Sequence, residues 1–366
     1  MKVLFVVQGE GRGHLTQALA MEKMLKANGH EVAGMLIGKS KNREIPEFFY
    51  HEAEAPVTTF DSPNFMPGRD DMHIGHLRSA VYNVIKAPKY LESIHKISRS
   101  GADMVINFYE VLCGLTYLLS RPHVPMVCVG HQYLFLHPDF KFPEAHLYSQ
   151  RWLTWFTRLT CLGASRVMAL SIRPYADVED SHLTVVPPLL RPEVRDITRH
   201  HGDYVTGYIL NAGFARSVVA WHNEHPNVNL RFFWDKKGAD TITKIDDTLS
   251  FHLIDDKAFL DSLANCRAYA TTGGFESVCE ALYMGKPVLM VPAHIEQECN
   301  VADFEREGVG VGSDGFDLSS LLSFARGYEE DVDFRLWENN AATRVVASLE
   351  QVAFSTPVPS VPVAMS

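Results

Sequence analysis

The opening segment constrains the fold most. Five apolar residues, Val3–Val7, run into a glycine-rich loop, Gly9-Glu10-Gly11-Arg12-Gly13. A helical pattern follows, with Leu15, Leu19, Met21 and Leu25 near a 3.6-residue spacing. Asn28-Gly29-His30 stops it, and Glu31–Ile37 reads as a second strand. A strand-loop-helix-strand unit implies a parallel sheet, because only a crossover of this kind returns the chain in the same direction.

The alternation continues. Arg78–Arg99 reads as a helix, Asp103–Asn107 as a strand, Val111–Leu119 as a helix and Val124–Gly130 as a strand. A helix over Leu147–Leu162 and a strand over Arg166–Leu170 come next. Residues 56–76, with Pro56, Pro63, Pro67 and Gly68, read as a mobile loop. The stretch Thr184–Pro192 carries Pro187, Pro188 and Pro192 and reads as an interdomain linker.

Beyond it the pattern restarts. Strands are expected at Tyr204–Leu210, Asn229–Trp234, Arg267–Thr271 and Pro287–Val291. Helices are expected at Phe214–Asn223, Ala258–Ala264, Phe275–Met284, Gln297–Glu307 and Phe334–Phe354. The expectation is therefore α/β, with two Rossmann-like parallel-sheet domains facing an interdomain cleft. The N-terminal domain spans 1–186 and the C-terminal one 187–340. A terminal helix at 341–354 and a disordered tail at 355–366 follow. Ligands of such sheets bind at the carboxyl ends of the strands.

Length and composition fit this division. At 366 residues, 46% hydrophobic and 21% charged, the chain suits two globular domains. The net charge is −10, unlike that of most proteins whose main partner is a nucleic acid. Residues 1–185 hold 19 basic and 18 acidic side chains, whereas 186–366 hold 15 and 26. The halves therefore present different surfaces to their partners. No apolar run reaches the length of a membrane span, and the apolar start is too short for a signal peptide. The six cysteines form no C-x-x-C pair and read as small core residues, which suits a reduced cytoplasmic setting.

The richest chemistry lies at Thr271-Thr272-Gly273-Gly274-Phe275-Glu276-Ser277, where a strand ends in two glycines and a helix starts at once. Backbone N–H groups and the helix dipole favour an anion there, and glycine lets a phosphate approach closely. Ser277 adds a hydroxyl in the first turn. Glu280, one turn on, could accept hydrogen bonds from a ribose diol.

The stretch continues Glu280-Ala281-Leu282, Gly285-Lys286-Pro287 and, after Pro292, Glu296-Gln297 and Asn300. This resembles the donor-binding motif of GT-B glycosyltransferases of the UDP-glycosyltransferase and MurG-like type, over about thirty residues. The resemblance implies that Thr272, Gly273, Gly274 and Ser277 hold the diphosphate of a nucleotide sugar. It also implies that Glu280 binds the ribose, and that Glu296 and Gln297 contact the donor sugar. Glu276 departs from the expected pattern, since a carboxylate in an anion-binding turn repels a diphosphate unless it points away. A second loop, Asn211-Ala212-Gly213-Phe214-Ala215-Arg216, also follows a strand. In similar enzymes this loop touches the phosphates, so Gly213 and Arg216 join the donor side.

The N-terminal loop ends Gly11-Arg12-Gly13-His14, followed by Ala18-Leu19-Ala20, and resembles the glycine-rich loop of the same family. It lacks the Gly-Lys-Ser/Thr of a P-loop and the third glycine of a dinucleotide fingerprint. A histidine in the first turn of a helix can act as a general base near neutral pH, and His14 is the expected one. Glu110, after a strand end, is the alternative base. Gly11, Gly13 and His131 are expected on the acceptor side.

The implied reaction moves a sugar, with inversion, from a nucleotide-sugar donor of UDP type to a hydroxyl acceptor of unidentified class (small molecule, glycan or lipid-linked). The enzyme is thus expected to be a hexosyltransferase. No metal or other cofactor is expected: Asp331-Val332-Asp333 does not end a strand, and His73 and His76 alone do not make a zinc site. Alternatives are a nucleotide-sugar 2-epimerase of GT-B fold and a non-catalytic nucleotide-sugar-binding protein.

Residues 133–162 combine Tyr133, Phe135, Phe140, Phe142, Tyr148, Trp152, Trp155 and Phe156 with Lys141, Arg151 and Arg158. That mixture suits either a helix covering the sheet or peripheral contact with the inner membrane face.

Overall fold

The computed structural model describes residues 1–41, 43–62, 101–210 and 212–354. The expected helix Arg78–Arg99, the tail, and His73 and His76 lie outside these residues. The chain divides into two compact units. The first comprises Met1–Phe140, Leu147–Arg191 and the segment from Leu336 onward; the second comprises Lys141–His146 and Pro192–Arg335.

In the first unit seven strands form one sheet: β1 (Lys2–Gln8), β2 (Glu31–Lys39), β3 (Val57–Asp61), β4 (Met104–Phe108), β5 (Met126–Gly130), β6 (Arg166–Leu170) and β7 (Leu183–Val186). Their order is β3-β2-β1-β4-β5-β6-β7, and every pair is parallel. Strands of a parallel sheet are covered on both faces, so they read as continuous apolar runs. Val3 and Phe5–Val7 accordingly have no exposed surface. The described helices of this unit begin with α1 (Arg12–Ala27), α2 (Glu47–Glu52), α3 (Val111–Ser120) and α4 (Leu147–Thr160).

The second unit repeats the plan. Its strands are β8 (Tyr204–Ile209), β9 (Asn229–Trp234), β10 (Ile242–Lys244), β11 (Leu249–Leu253), β12 (Ala268–Thr271), β13 (Val288–Met290) and β14 (Val311–Gly312). The order is β10-β11-β9-β8-β12-β13-β14, and β10, the edge strand, is the antiparallel member. The helices are α5 (Pro192–Asp196), α6 (Ala215–Glu224), α7 (Asp256–Asn265), α8 (Phe275–Tyr283), α9 (Ile295–Arg306) and α10 (Leu318–Ala325). Then come α11 (Val332–Glu338) and α12 (Ala341–Phe354). A core of Val205, Phe232, Trp234, Phe251, Leu289 and Phe316 packs against β8.

Three expectations are corrected. Residues 57–61 of the supposed loop form β3, which pairs with β2 from Met35↔Val57 to Lys39↔Asp61. The β-branched Val57-Thr58-Thr59 makes a strand there, and Pro56 serves at its start, where no ladder N–H is needed. The supposed linker begins with a strand, since Thr184–Val186 lie in β7, which is buried throughout. The helix expected at Phe334–Phe354 is two helices. Asp331 caps the first by accepting from Phe334 N (2.8 Å), and Asn340 donates to Leu336 O at its far end (2.7 Å).

All six cysteines are free thiols, and five of them are buried. Among the described residues no helix is long and apolar enough to cross a membrane.

Lys286, just before β13, has no exposed surface, and its ammonium donates to His200 O (2.6 Å) and Cys266 O (2.8 Å). It ties the chain ahead of β8 to the end of α7. Lys286→Met leaves two carbonyls unsatisfied and is expected to destabilise the second unit by roughly 2 kcal/mol or more. Urea denaturation followed by tryptophan fluorescence measures this. A midpoint equal to that of the unmodified chain would contradict it.

Candidate active site

In both units the strand order reverses at the centre of the sheet. From β1 the chain moves outward to β2 and β3, then crosses to β4 on the other side. From β8 it moves to β9 and β11, then crosses to β12. Loops leaving the two central strands therefore part in opposite directions and open a crevice at their carboxyl ends. The residues singled out by sequence gather at these two places, one in each unit.

In the first unit, the loop after β1 is held by Gly9 N donating to Gly38 O (2.7 Å) and by the Glu10 carboxylate accepting from Ser40 N (2.6 Å). Gly11 is exposed and precedes α1 without a side-chain cap. Gly13 is half-buried, and His14, third in α1, is buried. The His14 ring lies between two amides. Its Nδ1 stands 3.2 Å from Gln17 Oε1, and its Nε2 stands 3.1 Å from Gln132 Nε2. An amide oxygen only accepts, so Nδ1 carries the hydrogen, and the Nε2 lone pair receives the Gln132 N–H. The ring also stacks with Tyr109 (5.5 Å between centroids, 19°) and with His131 (6.4 Å, 15°). His131 opens the short turn His131–Leu136 after β5.

Tyr109 and Glu110 follow β4. Tyr109 has φ 62°, a left-handed conformation costly for a bulky residue. Its hydroxyl is bonded to Thr157 Oγ1 (2.7 Å), and Asn107 pins the corner by donating to Glu110 O and accepting from Glu110 N. The Glu110 carboxylate caps α3 through Leu112 N (3.1 Å) and accepts from Ser62 Oγ (2.7 Å). It is 1% exposed, and burial pushes its pKa from 4.5 up to about 7. Any Cβ at Gly38 would stand 2.2 Å from Glu110 Oε2, so glycine is required there by close approach.

In the second unit, Thr271 and Thr272 are buried at the end of β12. Gly273 has φ +77°, and a Cβ there would meet Val301 Cγ2 at 3.1 Å. Gly274 precedes α8 with no side-chain cap, so first-turn N–H groups face the loop without an acceptor from the cap residue. Ser277 Oγ bonds back to Gly274 O (3.4 Å), and Glu280, one turn along, is buried. Glu276 is half-buried in the first turn. Glu296 and Gln297 are buried on α9, where Gln297 Oε1 accepts from Ala293 N (2.8 Å). The turn thus packs against α9, bringing Gly273, Ser277, Glu280, Gln297 and Asn300 into one region.

The adjacent strand β8 pairs with β12, Thr271 opposite Tyr208, which sets its following loop beside this turn. Gly213 on that loop and Arg216, second in α6, are exposed. Ser217 Oγ accepts from Phe316 N (3.2 Å) and anchors the start of α6.

Sequence reasoning did not assign Gln17, Tyr109 or Ser62 a role. Gln17 was within reach, because it stands three residues after His14 on one helix face. The other two arrive from distant strands.

The family model described as Glycosyl transferase family 1 matches residues 1–326. Among solved structures, the kitacinnamycin glycotransferase superposes with a TM-score of 0.65 at 15% identity, over 97% of this chain and 99% of that one. Phytolacca americana UGT2, complexed with UDP-2-fluoro-glucose and pterostilbene, gives 0.61 at 13% identity, over 97% and 100%. MurG of Acinetobacter baumannii gives 0.53 at 16%, over 96% and 99%. Similarity at these identities establishes the fold, which is that of GT-B glycosyltransferases. No curated protein sequence matches the chain.

Because folding raises the Glu110 pKa, the folded state holds a proton that the unfolded chain has already lost above pH 4.5. The stability tied to this group is therefore present below 4.5 and lost as pH rises towards about 7. Its full extent is at most roughly 3 kcal/mol. Glu110→Gln is expected to flatten this decline and to gain melting temperature relative to the unmodified chain at pH 8. Parallel pH profiles of melting temperature for the two proteins would contradict the assignment.

Proposed function

As a member of glycosyl transferase family 1 the chain is a glycosyltransferase, and we propose that its donor is a UDP-sugar and its acceptor a hydroxyl compound. The observation that carries this reading is the glycine turn Gly273-Gly274 at the strand-order reversal of the second sheet, with Ser277 and Glu280 on successive turns of the helix it starts. Uncapped N–H groups there suit a diphosphate, and a buried carboxylate suits a ribose diol. Gly213 on the neighbouring loop and Arg216 in the first turn of α6 lie beside it, and Arg216 adds a cation for the phosphates. Glu296 and Gln297 are assigned to the sugar. Two of the similar structures were solved with UDP or a UDP-sugar derivative, which supports the same choice of nucleotide.

The acceptor side is assigned to the first unit, around Gly11, Gly13, His14 and His131. A sugar-accepting hydroxyl is a weak nucleophile until a base takes its proton. In this mechanism His14 Nε2 takes the proton, the acceptor oxygen bonds to the anomeric carbon, and the bond to the diphosphate oxygen breaks with inversion. The leaving diphosphate carries the released electron pair and is stabilised by backbone dipoles, without a metal. Gln132 must first withdraw its amide from Nε2, so the base is released when the acceptor displaces that hydrogen bond. Glu110, enclosed and already bonded at its carboxylate, holds α3 and the Tyr109 corner in place.

Two measurements test the reading. UDP and UDP-sugars are expected to raise the melting temperature by mass action, and no shift with any nucleotide diphosphate would remove the donor assignment. His14→Ala is expected to lower acceptor-dependent UDP release by roughly 10²–10⁴-fold while leaving the UDP-induced shift unchanged. Near-normal turnover would remove His14 from the mechanism. UDP-sugar consumption without any acceptor would favour the epimerase instead.

A further inference from the structure

The helix α4 divides sharply into two faces. At about 100° per residue, Leu147, Tyr148, Arg151, Trp155 and Arg158 fall within one arc of roughly 100°. All five are exposed, with Leu147 at 63%, Tyr148 at 66% and Trp155 at 51%. The opposite arc, Ser149, Leu153, Phe156, Thr157 and Thr160, is buried. Half of the aromatic-basic pattern thus covers the sheet, and the other half faces outward.

The neighbouring helix enlarges the outward face. Gly114 of α3 lies so close to α4 that a Cβ would meet Leu159 O at 2.3 Å, and Tyr117 Cβ would stand 3.0 Å from a Cβ at Gly163. The C-terminal end of α4 therefore lies against α3 from Gly114 to Tyr117, one residue short of its exposed end. Leu118 (44% exposed), Leu119 (63%) and the exposed Arg121 close α3 at that end. Five of the twelve large apolar side chains found exposed among the described residues lie on these two helices. Scattered apolar residues need no explanation, but a cluster does.

The charge on these two helices is one-sided. No acidic residue occurs between Glu144 and Asp177, or between Glu110 and Asp139, in a chain with 44 acidic residues among 366. The net charge of −10 would repel an anionic surface, so any attraction to one must be local. Here Arg121, Arg151 and Arg158 provide it, with no carboxylate on either helix to offset them.

We propose that this face, formed by Leu147, Tyr148, Arg151, Trp155 and Arg158 of α4 with the end of α3, docks on an anionic phospholipid bilayer surface. Tryptophan and tyrosine place their rings at the level of the headgroups. The leucines enter the boundary with the acyl chains, and each arginine near the surface gains about the attraction of one unit charge to anionic lipid. The helix lies on the membrane and does not cross it. The inference is independent of which sugar or acceptor the enzyme uses.

The test is co-sedimentation of the full chain with vesicles of phosphatidylcholine, with and without phosphatidylglycerol. Binding is expected only when phosphatidylglycerol is present, and it weakens as salt is raised. Arg151→Glu with Arg158→Glu, and separately Trp155→Ser, should each lower binding by roughly tenfold or more. Melting temperature and the UDP-induced shift should stay unchanged, because these side chains are exposed and belong to neither glycine turn. Failure of the unmodified chain to bind, or equal binding by the charge-reversed variant, would overturn the proposal. So would a dimer that forms without lipid and is lost in Trp155→Ser, since a second copy would then be the occupant.

Discussion

The rest of the molecule depends on one backbone constraint, the reversal of strand order at the middle of each parallel sheet. A helix leaving β1 and one leaving β4 must cover opposite faces, and the same holds for β8 and β12. The gap between them lies where four N–H groups of a starting helix have no partner within it. At α3, α7 and α10 the gap in bonding is closed by Glu110, Asp255 and Asp317, whose side chains accept from the first turn. At α1 and α8 the cap residue is a glycine, and no side chain does so. After one central strand of each sheet, β1 in the first and β12 in the second, the helix that follows is thus left open to an incoming acceptor of hydrogen bonds.

Charge runs against this arrangement in the second unit. The half of the chain with the glycine turn of α8 carries the large acidic excess, and Glu276 stands in the first turn itself. Short-range backbone dipoles must therefore outweigh a long-range repulsion, which they can do because the repulsion is screened beyond about 10 Å and the dipoles act in contact. Arg216, exposed in the first turn of α6, is placed to help. The first unit has no such conflict, since its residues are close to neutral as a group.

Much of this was legible in the sequence because parallel sheets write themselves plainly. Val3–Val7 and Met126–Gly130 are apolar on both faces, Met104–Phe108 is so apart from Asn107, and a glycine loop followed by a helical period marks the crossover after β1. The glycine turn at 273 and the helix carrying Ser277 and Glu280 were visible because their spacing is local. Edge strands were not legible: β3 and β7 are short, lie beside prolines and gain their order from a neighbour. The contact of Gln132 with His14 spans 118 positions, and the enclosure of Glu110 joins Gly38, Ser62 and Leu112 from three separate segments. No local pattern encodes such meetings.

Apart from Lys141–His146, the second unit is one insertion in the first. The chain leaves the first unit after Arg191 and returns to it at Leu336. On its return Trp337 donates to Ser171 O, Arg344 to Val185 O, and Ser348 accepts from Arg166. During synthesis the seven-stranded sheet is complete by residue 186, yet its last covering helix emerges about 150 residues later. Until then the side of β6 and β7 that awaits α12 stands bare. The ribosome must deliver the whole of the second unit before the first can close, so a truncated product that ends anywhere in the second unit contains no finished first unit.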